Sequence, residues 1–225
     1  GEIRKYNFMK NIPRIFIDKN IAPGIKIPLE REMVHYLTRV MRTDKCLVFG
    51  GGVEYNATLD DDNKNLIIGD QTSHNDPSNN ITLMFAPIKH TDDLINMATQ
   101  MGVARLIPVI TARTVAHHIN WDRMQKIAVE AAEQSNRNSV PEILKPVKFN
   151  ELDLSNIVFA DERAAYGADT SDNFDTSAVL IGPEGGFSDE EFSALDKAGA
   201  RGIGLGKTIL RAETAAIVAL SKIIK

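Results

Sequence analysis

The chain reads VLIGPEGGFS at residues 179–188 and GIGLGKTILRAET at residues 202–214. In each stretch a short apolar run typical of a buried strand leads through a glycine-rich loop to the start of a predicted helix. Glycine lets a ligand approach the backbone closely, and α/β sheets bind ligands beyond the carboxyl ends of their strands. The first loop has three glycines and a carboxylate between Gly182 and Gly186, more than a tight turn needs. We therefore expect a binding site at these loops.

The surrounding sequence alternates strands with helices. Apolar runs typical of strands occupy residues 81–86, 106–110, 157–160, 178–181 and 202–205. Helical patterns occupy residues 92–101, 121–135, 189–198 and 212–224. Ser188 and Glu191 have the spacing of a capping box, which marks the start of the third helix. This order predicts an α/β domain with a mostly parallel sheet and helices on both faces.

The first part of the chain follows a different pattern. Between residues 14 and 69, short apolar runs alternate with turn signals such as GGG at residues 50–52, which is typical of a small β-rich domain. The polar stretch SHNDPSNN at residues 73–80 reads as a linker. We predict two domains, at residues 1–76 and 77–225. Because Gly1 is not a translation start, we also expect residues 1–8 to be partly an added leader.

Composition indicates an ordinary globular protein. The 225 residues are 43% hydrophobic and 25% charged, with a formal net charge of −4. No apolar run approaches the roughly 20 residues of a membrane span, and no secretory signal opens the chain. Cys46 is the single cysteine, which excludes an internal disulfide and a multi-cysteine zinc site. We expect a cytoplasmic protein with no membrane partner and no metal.

A basic stripe marks the predicted helix at residues 30–42. At 100° per residue, an arc of about 80° contains Arg31, His35, Arg39 and Arg42, and the apolar residues lie opposite. Most such stripes are simply solvated faces. However, neither Arg39 nor Arg42 has an acidic neighbour four residues away, and forked guanidinium donors suit phosphate oxygens. The pattern slightly favours contact with a phosphate backbone.

Several familiar nucleotide-binding motifs fail on inspection. The run GKT at residues 206–208 resembles the end of a phosphate-binding loop, but Arg201 occupies the position of its required first glycine. A dinucleotide fingerprint fails because Lys207 replaces its third glycine. No serine or cysteine nucleophile has a recognisable local signature. These observations disfavour nucleoside triphosphatases, hydrolases and metabolic enzymes that use a nucleotide.

Two charged residues stand at the start of the last predicted helix. Glu213 is explained by the helix dipole, which favours an acid in the first turn. Arg211 has no such explanation, because a cation is disfavoured at that end of a helix. Its position therefore indicates a ligand.

These motifs together resemble the RsmE family, the ribosomal RNA small subunit methyltransferase E enzymes of the SPOUT superfamily. LIGPEGGFS at residues 180–188 and LGKTILRAETA at residues 205–215 are similar to the two carboxyl-terminal motifs of the family. Further agreement is found in HYLTRVMR (35–42), MGV (101–103), ARTV (112–115), IAVEAAEQSNR (127–137) and VP (140–141). The resemblance runs in order from about Pro13 to the end of the chain.

The resemblance implies a fold and an activity that composition and spacing could not. The fold is a SPOUT-type trefoil-knotted α/β domain preceded by a small PUA-like β-barrel, in a homodimer. The methyl donor is S-adenosyl-L-methionine. The reaction is methylation of N3 of a specific uridine in 16S rRNA of the small ribosomal subunit. By the same resemblance, the cofactor pocket is assigned to Ile181, Gly182, Gly185, Leu205, Gly206, Ile209, Leu210 and Thr214.

The chemistry of uridine suggests catalytic roles. Its N3–H is a weak acid, and negative charge develops on the carbonyl oxygens of the base as the proton leaves. We hypothesise that Arg211 stabilises this charge and that Glu184 or Glu213 orients the base or the proton. The candidates for RNA contact are Arg14, Arg39, Arg42, Arg113 and Arg137. For Arg137, a favourable helix-end position explains the cation equally well.

The chain departs from the family pattern at three positions. Met97 and Gln100 stand where lysine and glutamate are expected, and Thr208 replaces a basic residue. These departures bear on RNA affinity more than on the cofactor site. Two other functions stay open: a SPOUT methyltransferase acting on another RNA base or on a ribose, and a non-catalytic RNA-binding assembly protein.

Overall fold

A computed structural model describes residues 12–77, 79–116 and 118–224 of the chain. The predicted leader at residues 1–8 lies outside these ranges. The described residues form two compact units. The first contains residues 12–77 together with residues 136–139, and the second contains the remainder. The short return of residues 136–139 to the first unit has no counterpart in the two domains predicted from sequence.

The first unit is built on a five-stranded sheet with the order β1-β3-β4-β5-β2. Its strands are β1 (Arg14–Phe16), β2 (Lys26–Pro28), β3 (Lys45–Gly50), β4 (Val53–Leu59) and β5 (Asn65–Gln71). β1 runs parallel to β3, and the other pairings are antiparallel. Alternate side chains such as Cys46 and Val48 on β3 are buried in one apolar core. Burial raises the pKa of the Cys46 thiol to about 12, so the thiol stays protonated at neutral pH.

The predicted helix at residues 30–42 is two elements. α1 (Arg31–His35) continues into a π-helix at Tyr36–Met41, where the Leu37 carbonyl accepts hydrogen bonds from the backbone N–H groups of both Arg42 and Thr43. The wider π-turn changes the angle between successive side chains, and Arg42 is left-handed with φ of 53°. The predicted arc assumed 100° per residue, which the π-helix does not follow, but all four of its basic residues are exposed. Val40, expected on the apolar face, is 60% exposed.

A buried ion pair lies inside the first unit. Arg14 Nε donates to a Glu54 carboxylate oxygen at 3.0 Å, and the two side chains are only 8% and 5% exposed. Arg14 Nη2 also donates to Asn138 Oδ1 at 2.5 Å and to the Arg137 carbonyl oxygen at 3.0 Å. The guanidinium carbon lies 4.3 Å from the centre of the Phe49 ring. Charge, hydrogen bonds and ring contact together compensate Arg14 for its loss of water.

Residues 136–139 supply further partners to this network. The Asn138 N–H donates to Asp76 Oδ1 at 2.7 Å, and Asn138 Nδ2 donates to the His74 carbonyl oxygen at 2.7 Å. Ser139 Oγ donates to Asp76 Oδ2 at 2.5 Å and accepts from Arg137 Nη2 at 2.9 Å. Burial lowers the pKa of Arg137, an effect that Asp76 opposes. Asn138 is buried and Arg137 and Ser139 are half-buried, so these three side chains belong to the polar network of the first unit.

These positions argue against two predicted RNA contacts. The side chains of Arg14 and Arg137 are only 8% and 12% exposed, which leaves little of either guanidinium available to an RNA phosphate. We assign both to the internal network of the first unit. The sequence did not reveal this because Glu54 and Asn138 are 40 and 124 residues from Arg14.

The second unit is an α/β domain with a parallel sheet. The strand order is β12-β10-β11-β6-β7-β8, β9 also pairs with β7, and each described pairing is parallel. Its strands are β6 (Thr82–Phe85), β7 (Arg105–Ile110), β8 (Glu142–Ile143), β9 (Val147–Lys148), β10 (Val158–Ala160), β11 (Ala178–Ile181) and β12 (Arg201–Ile203). Its helices are α2 (Thr91–Met101), α3 (Trp121–Gln134), α4 (Asp189–Lys197) and α5 (Ala212–Ile223). The predicted α/β class is confirmed.

Helices cover both faces of this sheet. Successive side chains of β11 alternate between two cores: Val179 and Ile181 pack in the core that contains residues of α2, α3 and α5, and Leu180 packs with Leu195 of α4. The alternation follows from the period of two in a strand. Among the described residues, no helix combines the length and the apolar character that a membrane crossing requires.

We predict that Arg14→Met lowers the free energy of unfolding by about 3–5 kcal/mol, because Glu54 would stay buried without its cation. Urea denaturation of the full chain would measure the loss, with hydrogen exchange in β4 showing that it begins in the first unit. The matched control is Arg39→Met, since Arg39 is exposed, and its effect should stay within about 0.5 kcal/mol. Equal stability of the two variants would refute a structural role for Arg14.

Candidate active site

Three neighbouring strands of the second unit end at one cavity. β12, β10 and β11 are adjacent and parallel, so their carboxyl ends lie at the same edge of the sheet. The cavity has a volume of about 650 Å³ including its open mouth. Its lining comes from the segments 160–165, 181–187 and 205–212, apart from Arg163, Gly185, Lys207 and Arg211, and from Ala215 of α5. Concave sites lined mainly by apolar side chains with a few polar groups are typical of small-molecule and cofactor binding.

Most of the predicted cofactor residues line this cavity. The structure brings together Ile181, Gly182, Leu205, Gly206, Ile209 and Leu210. Gly185 and Thr214 do not line it. Ile209 is 61% exposed, so an apolar side chain at the cavity is left in contact with water. Thr208, one of the departures from the family pattern, is also part of the lining.

The glycine loop after β11 is shaped by its close neighbours. Gly186 has φ of 71°, and a Cβ atom there would meet the carboxylate of Glu162. At Gly182, a Cβ atom would lie 3.1 Å from the Phe187 ring. Glycine at these two positions lets the loop fold tightly over the cavity edge.

The buried carboxylate of Glu191 holds the end of the same loop. Glu191 Oε2 accepts the Ser188 N–H at 2.9 Å, and Ser188 Oγ accepts the Glu191 N–H at 3.2 Å. The predicted capping box is thereby confirmed. Glu191 Oε1 also accepts the Ala112 N–H at 2.8 Å, which ties the loop after β7 to the start of α4.

Arg113, a predicted RNA contact, lies on the loop after β7. Its side chain is exposed and donates to the Gly185 carbonyl oxygen at 2.8 Å. The guanidinium therefore helps to hold the glycine loop in place. Its exposure leaves the predicted contact with RNA open.

Sequence reasoning missed the third loop, which follows β10. Asp161 is buried and accepts hydrogen bonds from the Arg163 backbone and side chain, and Arg163 also pairs with Asp196 of α4 at 3.0 Å. These bonds raise the pKa of Arg163 and lower that of Asp196. The Arg163 guanidinium lies 4.2 Å from the centre of the Phe192 ring. The available signal was the position of Asp161 directly after the apolar run at residues 157–160.

The three predicted catalytic residues have different surroundings. Glu184 lines the cavity, and its Oε1 accepts a long hydrogen bond from the Lys89 N–H at 3.5 Å. Arg211 is the exposed N-cap of α5, between lining residues Leu210 and Ala212, and Glu213 follows in the first turn. Within the described part of the chain, the side chains of Arg211 and Glu213 have no hydrogen-bond or ion-pair partner. Neither residue is part of the cavity lining, although both are close to it in sequence.

The remaining polar candidates lie elsewhere. Arg39 and Arg42 are exposed residues of the first unit. His90, Asp92 and Asp93 form the single group of potential metal ligands found among the described residues, with ligand atoms within 4.8 Å of one another. Because Asp92 also pairs with Arg123 at 3.5 Å, this group has the character of a solvated helix start.

Comparison with known proteins settles the family. Residues 74–224 match the model described as RNA methyltransferase domain. The chain is 34% identical to the ribosomal RNA small subunit methyltransferase E of Rickettsia conorii, over 97% of this chain and 95% of the relative. It is 35% identical to that of Mesomycoplasma hyopneumoniae, over 72% and 77%. The chain belongs to the ribosomal RNA small subunit methyltransferase E family. The predicted family and the methyltransferase class are confirmed.

Solved structures agree with this assignment. The ribosomal RNA small subunit methyltransferase E of Neisseria gonorrhoeae, bound to S-adenosyl methionine, superposes with a TM-score of 0.79 at 26% identity, over 93% of this chain and 95% of that one. A probable rRNA-methyltransferase from Porphyromonas gingivalis has the same fold, with a TM-score of 0.77 at 24% identity, over 94% and 97%.

We predict that Gly202→Ala destabilises the protein by about 1–3 kcal/mol, as expected for overpacking. A Cβ atom at Gly202 would lie 2.5 Å from Asp161 Oδ2 and 3.0 Å from Asp161 Cβ, and Arg163 holds Asp161 in place. Thermal unfolding would measure the effect. Gly204→Ala on the same segment is the control, because its nearest neighbour is the Thr170 hydroxyl at 3.3 Å. The prediction fails if the two variants unfold at the same temperature.

Proposed function

We propose that this chain is an S-adenosylmethionine-dependent methyltransferase that methylates N3 of a uridine in 16S rRNA of the small ribosomal subunit. One observation carries the proposal: the two motifs at residues 180–188 and 205–215 meet at one cavity. Membership of the family gives the class of reaction and of RNA. The Neisseria gonorrhoeae relative binds S-adenosyl methionine, which supports the same donor here.

The cavity fits this donor chemically. Apolar side chains including Ile181, Leu205, Ile209 and Leu210 line it, and the exposed Ile209 offers a surface to a flat adenine ring. The glycines of the lining present backbone donors and acceptors to the adenosine. The carboxylates of Glu162 and Glu184 suit hydroxyl groups and positive charge. When bound, S-adenosylmethionine supplies a methyl group already activated by a positively charged sulfur.

The residues of the chain then act mainly on the base. Uracil N3 becomes nucleophilic only as its proton leaves, and negative charge spreads to the adjacent carbonyl oxygens. Arg211 is an unpaired, exposed cation next to Leu210 of the cavity, so it is well placed to stabilise that charge. Glu184 in the lining, or Glu213 in the first turn of α5, orients the base or receives the proton.

The proposal includes the architecture and surroundings of this family as predicted from sequence. The second domain, at residues 77–225, contains the trefoil knot of the SPOUT superfamily. The five-stranded sheet of the first domain, at residues 1–76, belongs to a PUA-like barrel that binds RNA. The enzyme works in the cytoplasm as a homodimer, without metal. RNA is contacted by Arg39, Arg42 and Arg113, which are the exposed members of the predicted set.

The direct test is methyl transfer from labelled S-adenosylmethionine to unmodified small subunits and to free rRNA, with the product nucleoside identified by mass spectrometry. The expected product is N3-methyluridine. Another methylated base or a methylated ribose would refute the uridine target and favour a related SPOUT activity. Cofactor binding without transfer to any RNA would favour the non-catalytic assembly protein.

We predict that Arg211→Ala lowers kcat by roughly 10²–10³-fold, the range seen when one donor to a developing oxyanion is removed. The dissociation constant of S-adenosylmethionine, measured by calorimetry, should change by less than about threefold, because the guanidinium is assigned to the base. Lys207→Ala is the control, since it removes an exposed cation of the same loop to which no role in catalysis is assigned. An equal loss of turnover and of cofactor affinity would contradict the assignment of Arg211.

A further inference from the structure

We infer that Glu162 makes the cavity prefer the positively charged methyl donor over its neutral thioether product. The inference rests on the proposed function and deepens it. It assigns to Glu162 a part in donor selection and product release. Sequence analysis gave no role to this residue.

The charged residues in the lining of the cavity are all acidic. Among the described residues that line it, the charged ones are Asp161, Glu162 and Glu184, and none is Lys, Arg or His. Asp161 is paired with Arg163 at 2.8 Å, so its charge is compensated. Glu162 and Glu184 remain as two carboxylates without a neighbouring cation in the lining. The cavity therefore favours a ligand that carries positive charge.

Of the two carboxylates, Glu162 is the less exposed to water. It is half-buried at the start of the 3₁₀-helix Glu162–Tyr166, whose N-cap is the ion-paired Asp161. Its carboxylate lies against the backbone of Gly186, in the space that a Cβ atom there would need. In the described part of the chain it has no hydrogen-bond or ion-pair partner. Glu184 is exposed, so water screens its charge more effectively.

The net charge of the ligand changes during methyl transfer, so the Glu162 carboxylate interacts differently with donor and product. S-adenosylmethionine carries a sulfonium, an ammonium and a carboxylate, for a net charge of +1. Loss of the methyl group leaves a neutral thioether and a net charge of zero. A fixed carboxylate at the cavity stabilises the donor more than the product, because only the donor has the additional positive charge. The same preference helps the product to leave after transfer.

The test is calorimetric titration of the full chain with S-adenosylmethionine, S-adenosylhomocysteine and sinefungin, an analogue in which a protonated amine replaces the sulfonium. Glu162→Gln keeps the shape of the side chain and removes its charge. We expect the dissociation constants of S-adenosylmethionine and sinefungin to rise roughly tenfold, as for loss of one partly screened charge interaction. The constant for S-adenosylhomocysteine should change less than about twofold.

Two variants serve as controls. Glu130→Gln makes the same change in net charge on an exposed face of α3, outside the lining, and should alter no dissociation constant. Glu184→Gln should shift the donor in the same direction by a smaller factor, because Glu184 is exposed. Thermal unfolding of Glu162→Gln would show that the variant is folded.

The outcomes separate this inference from the function on which it rests. Equal weakening of all three ligands by Glu162→Gln, or no weakening of any, would overturn the inference and leave the methyltransferase function standing. Failure of the unaltered chain to bind any of the three would overturn the proposed cofactor and the inference with it. A tenfold loss confined to the two cationic ligands would support the inference.

Discussion

The parallel adjacency of β12, β10 and β11 governs the geometry of the candidate site. Parallel neighbours end at the same edge of a sheet, so three loops that are far apart in sequence must meet there. The strands are held in this order by apolar side chains on both faces, such as Val158 and Phe159 on β10. Without that packing, the two glycine-rich motifs would have no common cavity. The site is in this sense a consequence of the core.

Charged side chains then fix the loops around the cavity to α4. Arg163 joins the loop after β10 to α4 through Asp161 and Asp196, and Glu191 joins the loop after β7 to the start of α4. These bonds reach α4 at its two ends, with Glu191 in its first turn and Asp196 in its last. The lining itself keeps few internal polar contacts. Its carboxylates and backbone groups thus remain available, while the supporting contacts limit the movement of the loops.

Local patterns predicted much of this structure, and long-range contacts account for the rest. Hydrophobic period and capping located the long elements of the second unit to within about two residues, and motif resemblance identified six of the eight assigned cofactor residues as lining the cavity. The π-helix at Tyr36–Met41 was missed because a period of 3.6 was assumed throughout. The loop after β10 was missed because it has no glycine signature. The role of Arg14 depends on Asn138, which no local window contains.

The place of residues 136–139 in the first unit has a consequence for the order of events during synthesis. A nascent chain emerges from its amino terminus, and Arg14 and Asp76 are made long before their partners Asn138 and Ser139. By the time those partners emerge, β6, α2, β7 and α3 of the second unit have already been translated. The first unit therefore cannot complete its polar interior until the part of the second unit from β6 to α3 has been synthesised. Maturation of the two units is interleaved, although their strands belong to separate sheets.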